Sequence, residues 1–283
     1  MNTTLRKIAA IVEVTLVTFV FVPYLAVGIY RLFPRFEAWQ TETLGFPVPV
    51  FIYVVEAGLS MLVILLHRKK LADYGIQFRG LKYQLDITAT CFIPVALASI
   101  ALMLDYTTWS AAILIAAVQV GLLFVLGMLL RKKTPASAVG AATTALVLLW
   151  PSVLSGDQSI AWKVIVTFLT YALFVGFGEE ILFRGYMQSR LNEVFGKPYR
   201  FFEVSFGWGA IITALLFGLM HIGILRWILG MTTEVTLAWG FWTIFGGLVF
   251  SFVREKSGGI LAPALLHGMP QALAFVAMLF IPT

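Results

Sequence analysis

Apolar residues run along this chain in long blocks, and the short links between them carry most of its charge. A helix that crosses a membrane needs about 20 mostly apolar residues. Nine blocks meet or approach that length: about 8–30, 48–67, 85–104, 110–130, 137–155, 162–187, 205–229, 234–253 and 260–281. The pattern predicts an all-α fold, a polytopic transmembrane helix bundle of eight or nine spans. The fifth block is the weakest, because Pro151 interrupts it and Gly, Ala and Thr dilute its first half. The links are too short to fold separately, so residues 1–283 are expected to form a single membrane domain, with residues 1–155 as scaffold spans. The first block is too long for a removed signal peptide and is expected to stay as an anchor.

Composition supports this class. Hydrophobic residues make up 60% of the chain, charged residues 12%, and mean hydropathy is +0.93; a soluble domain carries roughly 25% charged residues. The single cysteine, Cys91, excludes a disulfide framework and a cysteine-rich metal site. The net charge is +6, and sixteen of the twenty basic residues fall in one set of alternate links or, for Arg184, at the end of the span that leads into one. The positive-inside rule then places the N-terminus and those links in the cytoplasm. No segment is large enough to be a basic domain outside the lipid bilayer, so nucleic acid is not an expected partner.

Against this apolar background the ionisable residues inside spans stand out, since a charge in the bilayer interior costs at least a few kcal/mol. The stretch FGEEILFRGYMQSRL, residues 177–191, concentrates them. One helical turn puts Glu180 and Arg184 on the same face, where they neutralise each other. Glu179 is rotated away and has no evident cation, which suits a general base or acid. His221 closes FGLMH in the seventh block. His267 and Gln271 lie one turn apart in LLHGMPQAL in the ninth, with Pro270 between them. Glu13 and Glu56 are expected to be hydrogen-bonded carboxyls between helices, His67 an interface residue, and Gln119 a lone polar residue in a scaffold span. The Gly-rich eighth block, with Gly246 and Gly247, suits close helix packing.

A carboxylate and two imidazoles facing one cavity suit hydrolysis: the first deprotonates water, and the others orient it, shuttle protons or stabilise an oxyanion. The same Glu179, His221 and His267 suit binding of zinc or another divalent metal. A metal-free mechanism remains equally open. No HExxH helix and no G-x-S-x-G elbow is present.

EExxxR (Glu179, Glu180, Arg184), then FxxxH (Phe217 to His221), then a late His followed one turn on by a carboxamide, resemble the CPBP family. This family comprises the CAAX prenyl endopeptidases and the bacteriocin-processing, or Abi, intramembrane proteases. The resemblance covers about residues 160–275, the expected catalytic core. It implies a helical membrane peptidase with its cavity toward the cytoplasm, acting on a peptide or lipidated-peptide substrate. Glu179 would activate water, His221 would be its partner, and His267 with Gln271 would serve the oxyanion or metal side. Glu180 and Arg184 would form a structural ion pair. The family has Asn where this chain has Gln271. That departure leaves room for a non-catalytic scaffold or immunity protein, and Glu13 and Glu56 for a proton-coupled transporter or channel.

Overall fold

Long apolar stretches with strong helix formers can satisfy their backbone groups internally only as helices or closed barrels, and here they are helical. The computed structural model describes residues 3–44, 50–105, 107–131, 158–223 and 235–278. Helix α1 (Thr3–Leu32) contains a wide π turn at Val17–Phe21. That turn directly precedes Pro23, which has no N–H to give the preceding turn. There follow α2 (Pro34–Leu44), α3 (Val50–Leu66), α4 (Leu81–Ser99) and α5 (Trp109–Arg131). Helix α6 runs from Gln158 to Phe195, and α7 (Trp208–His221), α8 (Leu237–Ser257) and α9 (Leu261–Met278) complete the chain. Among the described residues five helical stretches are long and apolar enough to cross a membrane: Thr3–Leu32, Leu81–Leu102, Trp109–Arg131, Trp162–Phe195 and Leu237–Ser257. Val50–Leu66 and Trp208–His221 are apolar but shorter. The expected fifth span, 137–155, lies outside the described residues, as does Arg226.

Two local features depart from the expected pattern. The block at 205–229 starts with a strand: Tyr199–Phe201 and Val204–Phe206 form an antiparallel hairpin, and helix begins only at Trp208. Phe201 and Phe202 of this hairpin pack edge-on against Phe124 of α5. The link at 31–47, between the first two blocks, carries a helix of its own, α2, with Trp39 half-exposed.

Helix α6 is the axis of the bundle, contacting α1, α3, α7 and α9, while α8 packs on α5 and α7 and α9 on α4. Two large cores flank it. Leu182, Phe183, Tyr186, Met187 and Leu191 of α6 bury against Ala10 and Val14 of α1. Cys91 and Phe92 of α4 bury with Leu126, Val253 and Leu266. Lipid is as apolar as these side chains, so association depends on close packing, which small residues permit. A Cβ at Gly176 would collide with the Ala264 carbonyl of α9, one at Gly178 with Tyr53 of α3, and one at Gly247 would press on Ala214 of α7. Of the two glycines singled out in the sequence, Gly247 makes this approach and Gly246 faces open space. Helix α6 ends at Gly196, whose φ of +72° only glycine adopts freely, two residues before Pro198.

Candidate active site

The acidic pair lies in a short α-helical stretch, Gly176–Glu180, set between two π turns at Thr170–Val175 and Ile181–Met187. Wide turns of this kind re-aim side chains and are frequent at functional sites. Glycines 176 and 178 let α9 and α3 press against this stretch from two sides, which brings Glu180 under α9.

Glu180 and Arg184 pair as their spacing predicts, Nη1 to Oε1 at 2.8 Å, with both side chains 0% exposed. The same Glu180 oxygen lies 2.9 Å from Nδ1 of His267. Arg184 also donates through Nη2 to the Gly247 carbonyl at 3.1 Å, and its guanidinium lies over the Phe217 ring, 4.6 Å from its centre. Glu180 is therefore more than half of a structural pair, because it fixes one of the two site histidines. A carboxylate that also serves Arg184 accepts from the histidine, so the His267 proton resides on Nδ1 and Nε2 is left for chemistry. That Nε2 lies 3.7 Å from Oε2 of Glu179, the partner the sequence did not show. Glu179 Oε2 is buried and makes no hydrogen bond among the described residues.

His221 closes α7 and places Nδ1 2.8 Å from the Phe217 carbonyl, which can only accept, so here too the proton is on Nδ1. The FxxxH spacing acquires a reason: Phe217 packs 4.4 Å from the His221 ring, 6.1 Å from His267 and edge-on against Phe183. The ring of His267 stacks on Phe250 at 4.6 Å. His221, His267 and Gln271 line one cavity of about 120 Å³, with Trp239, Trp242 and Phe250. Gln271 presents a buried Oε1 without a hydrogen-bond partner among the described residues. Gln119 of α5 faces the same cavity, as do Val95, Ser99 and Leu102 around the end of α4, so spans expected to be scaffold supply one of its walls.

The residues outside this cluster differ from expectation in part. Glu13 is the acceptor for Arg190, at 3.1–3.2 Å, and for the Tyr186 hydroxyl at 2.8 Å, and His67 lies 3.8 Å from it. It is hydrogen-bonded between α1 and α6, as expected, and is ion-paired to Arg190 as well. Glu56 is buried, interacts electrostatically with Glu179, and leaves Oε2 without a hydrogen bond among the described residues.

Among the described residues no three His, Cys, Asp or Glu side chains come close enough together to hold a metal ion. His221 and His267 each engage Nδ1 and leave Nε2 free, as metal-bound histidines do, so it is spacing alone that keeps Glu179, His221 and His267 as placed from forming a zinc site.

Residues 160–273 match the family model described as Type II CAAX prenyl endopeptidase Rce1-like. A stretch of 114 residues is 40% identical to an uncharacterized 24.3 kDa protein of Escherichia coli, covering 40% of this chain and 44% of that protein. The match thus spans less than half the length of that relative. No solved structure matches the chain. Glu179, Glu180, Arg184, His221, His267 and Gln271 all lie within the segment that matches this family model.

Proposed function

We propose that this integral membrane protein is an intramembrane endopeptidase that hydrolyses a peptide bond near the C-terminus of a membrane-associated or lipidated peptide. The carrying observation is the shared oxygen of Glu180, which binds Arg184 and His267 together and leaves His267 Nε2 facing Glu179. In this reading Glu179 takes a proton from water and the hydroxide adds to the scissile carbonyl. The Gln271 carboxamide donates to the developing oxyanion. The proton on Glu179 then passes to the departing nitrogen as the C–N bond breaks, giving a carboxylate and an amine. His267 Nε2 accepts the water's other hydrogen and so orients it, while His221 Nε2, across the cavity, is left to accept from an N–H of the bound peptide. Arg184 balances the charge of Glu180, so the imidazole faces a neutral pair. No step runs through a metal. The distribution of basic links supports a cavity open toward the cytoplasm.

The test is cleavage of a panel of aliphatic C-terminal peptides, with and without a prenyl group, by protein reconstituted in vesicles. Glu179→Gln and His267→Ala should each lower turnover at least a hundredfold, the scale on which positioned proton transfer acts (roughly 10²–10⁴). Unchanged turnover in either overturns the reading, and the panel decides whether the lipid chain is required.

A further inference from the structure

A peptide inside a bilayer brings backbone N–H and C=O groups that water cannot reach, and each unsatisfied one costs several kcal/mol. A cavity that admits an unfolded peptide must therefore offer hydrogen-bond partners of its own. Gln119 lies within α5, an otherwise apolar stretch of mean hydropathy 2.7, where a carboxamide without a hydrogen-bond partner is costly. It faces the cavity that holds His221, His267 and Gln271. It makes no hydrogen bond among the described residues, whereas Ser99 on the neighbouring wall bonds its own helix at the Val95 carbonyl. The remaining lining from α4, α5 and the turn after α4 is apolar: Val95, Leu102 and Leu122.

We infer that Gln119 is a substrate-positioning residue that hydrogen-bonds the backbone of the peptide in the cavity. A carboxamide both donates and accepts, as a peptide group does; an acyl chain of the surrounding lipid offers it neither partner. The inference rests on the peptidase reading but concerns a residue outside the family-matching segment. It places peptide alignment on the wall built by the first half of the chain, opposite the wall that carries His221, His267 and Gln271.

The test uses the full protein in vesicles and a short fluorophore-labelled aliphatic peptide, together with analogues N-methylated at one amide at a time. In the wild type, methylation at one position should raise KM about tenfold, the loss of one hydrogen bond, with little change in kcat. In Gln119→Leu, KM should already be raised by that factor, and the same methylation should add nothing. Gln119→Leu should also melt no lower than the wild type, since it removes an unpaired polar group. Equal losses in both proteins at every position, or an unchanged KM in Gln119→Leu, overturn the inference. Binding of the same peptides to Glu179→Gln separates the two readings. Coupling to Gln119 in binding without turnover in the wild type removes the peptidase and keeps the positioning role. Turnover without coupling does the reverse.

Discussion

Two charge clusters lie on α6 less than two turns apart, one around Arg184 and the other around Arg190, and they are built on opposite principles. Arg184 and its partners are sealed: Glu180 is 0% exposed, and the neighbours are aromatic rings and a backbone carbonyl. Arg190 and Glu13 retain 17% and 22% exposure and sit in a looser network with Glu193, Lys69 and His67. Burial pushes the Tyr74 phenol up, with the Glu193 carboxylate beside it adding to the effect, so this tyrosine stays neutral in the network. The dry cluster leaves one acceptor free, Nε2 of the His267 imidazole, aimed by Glu180; the wet cluster only ties α1 to the end of α6. Removing water is what turns an ion pair into a device that holds a third group in place.

Breaking the dry cluster should have the largest effect. Arg184→Ala leaves Glu180 charged and buried, and should cost about 3–5 kcal/mol in unfolding measured in detergent. A loss within about 1 kcal/mol would put the cluster in the same class as its wet neighbour. Next, Gly176→Ala pushes α9 away through the Ala264 carbonyl and should cost about 1–3 kcal/mol, with the separation of α6 and α9 as the structural readout. Glu13→Ala should cost about 1 kcal/mol, and high salt should shrink that difference, because the pair is partly solvated. Lys69→Ala, at the rim of the wet cluster, should change stability by less than about 0.5 kcal/mol.

The dry cluster was half legible in the sequence. Glu180 and Arg184 are four residues apart, and helical geometry alone predicts their pairing. The link to His267 spans 87 positions, and only the packing of α9 over Gly176 creates it. Glu13 and Arg190 are 177 positions apart, which is why no cation was legible for Glu13 in the sequence. Gln119 was visible as a polar residue but not as a cavity residue, because a helix apolar on all sides gives no sign of which face turns inward. The helical class was legible in the long apolar runs, which permit little else. The hairpin at Tyr199–Phe206 was not, because its few residues merge with the apolar run that follows. The π turns around Gly176–Glu180 have no pattern in residue type and appear only once backbone hydrogen bonds are seen.

The most direct test of the central claim follows the oxygen of the attacking water. A single turnover of an aliphatic peptide by the wild-type protein in heavy-oxygen water should place one heavy oxygen in the new C-terminal carboxylate. Glu179→Gln, still binding the peptide, should place none on the same timescale. Incorporation by Glu179→Gln at the wild-type rate would contradict the account.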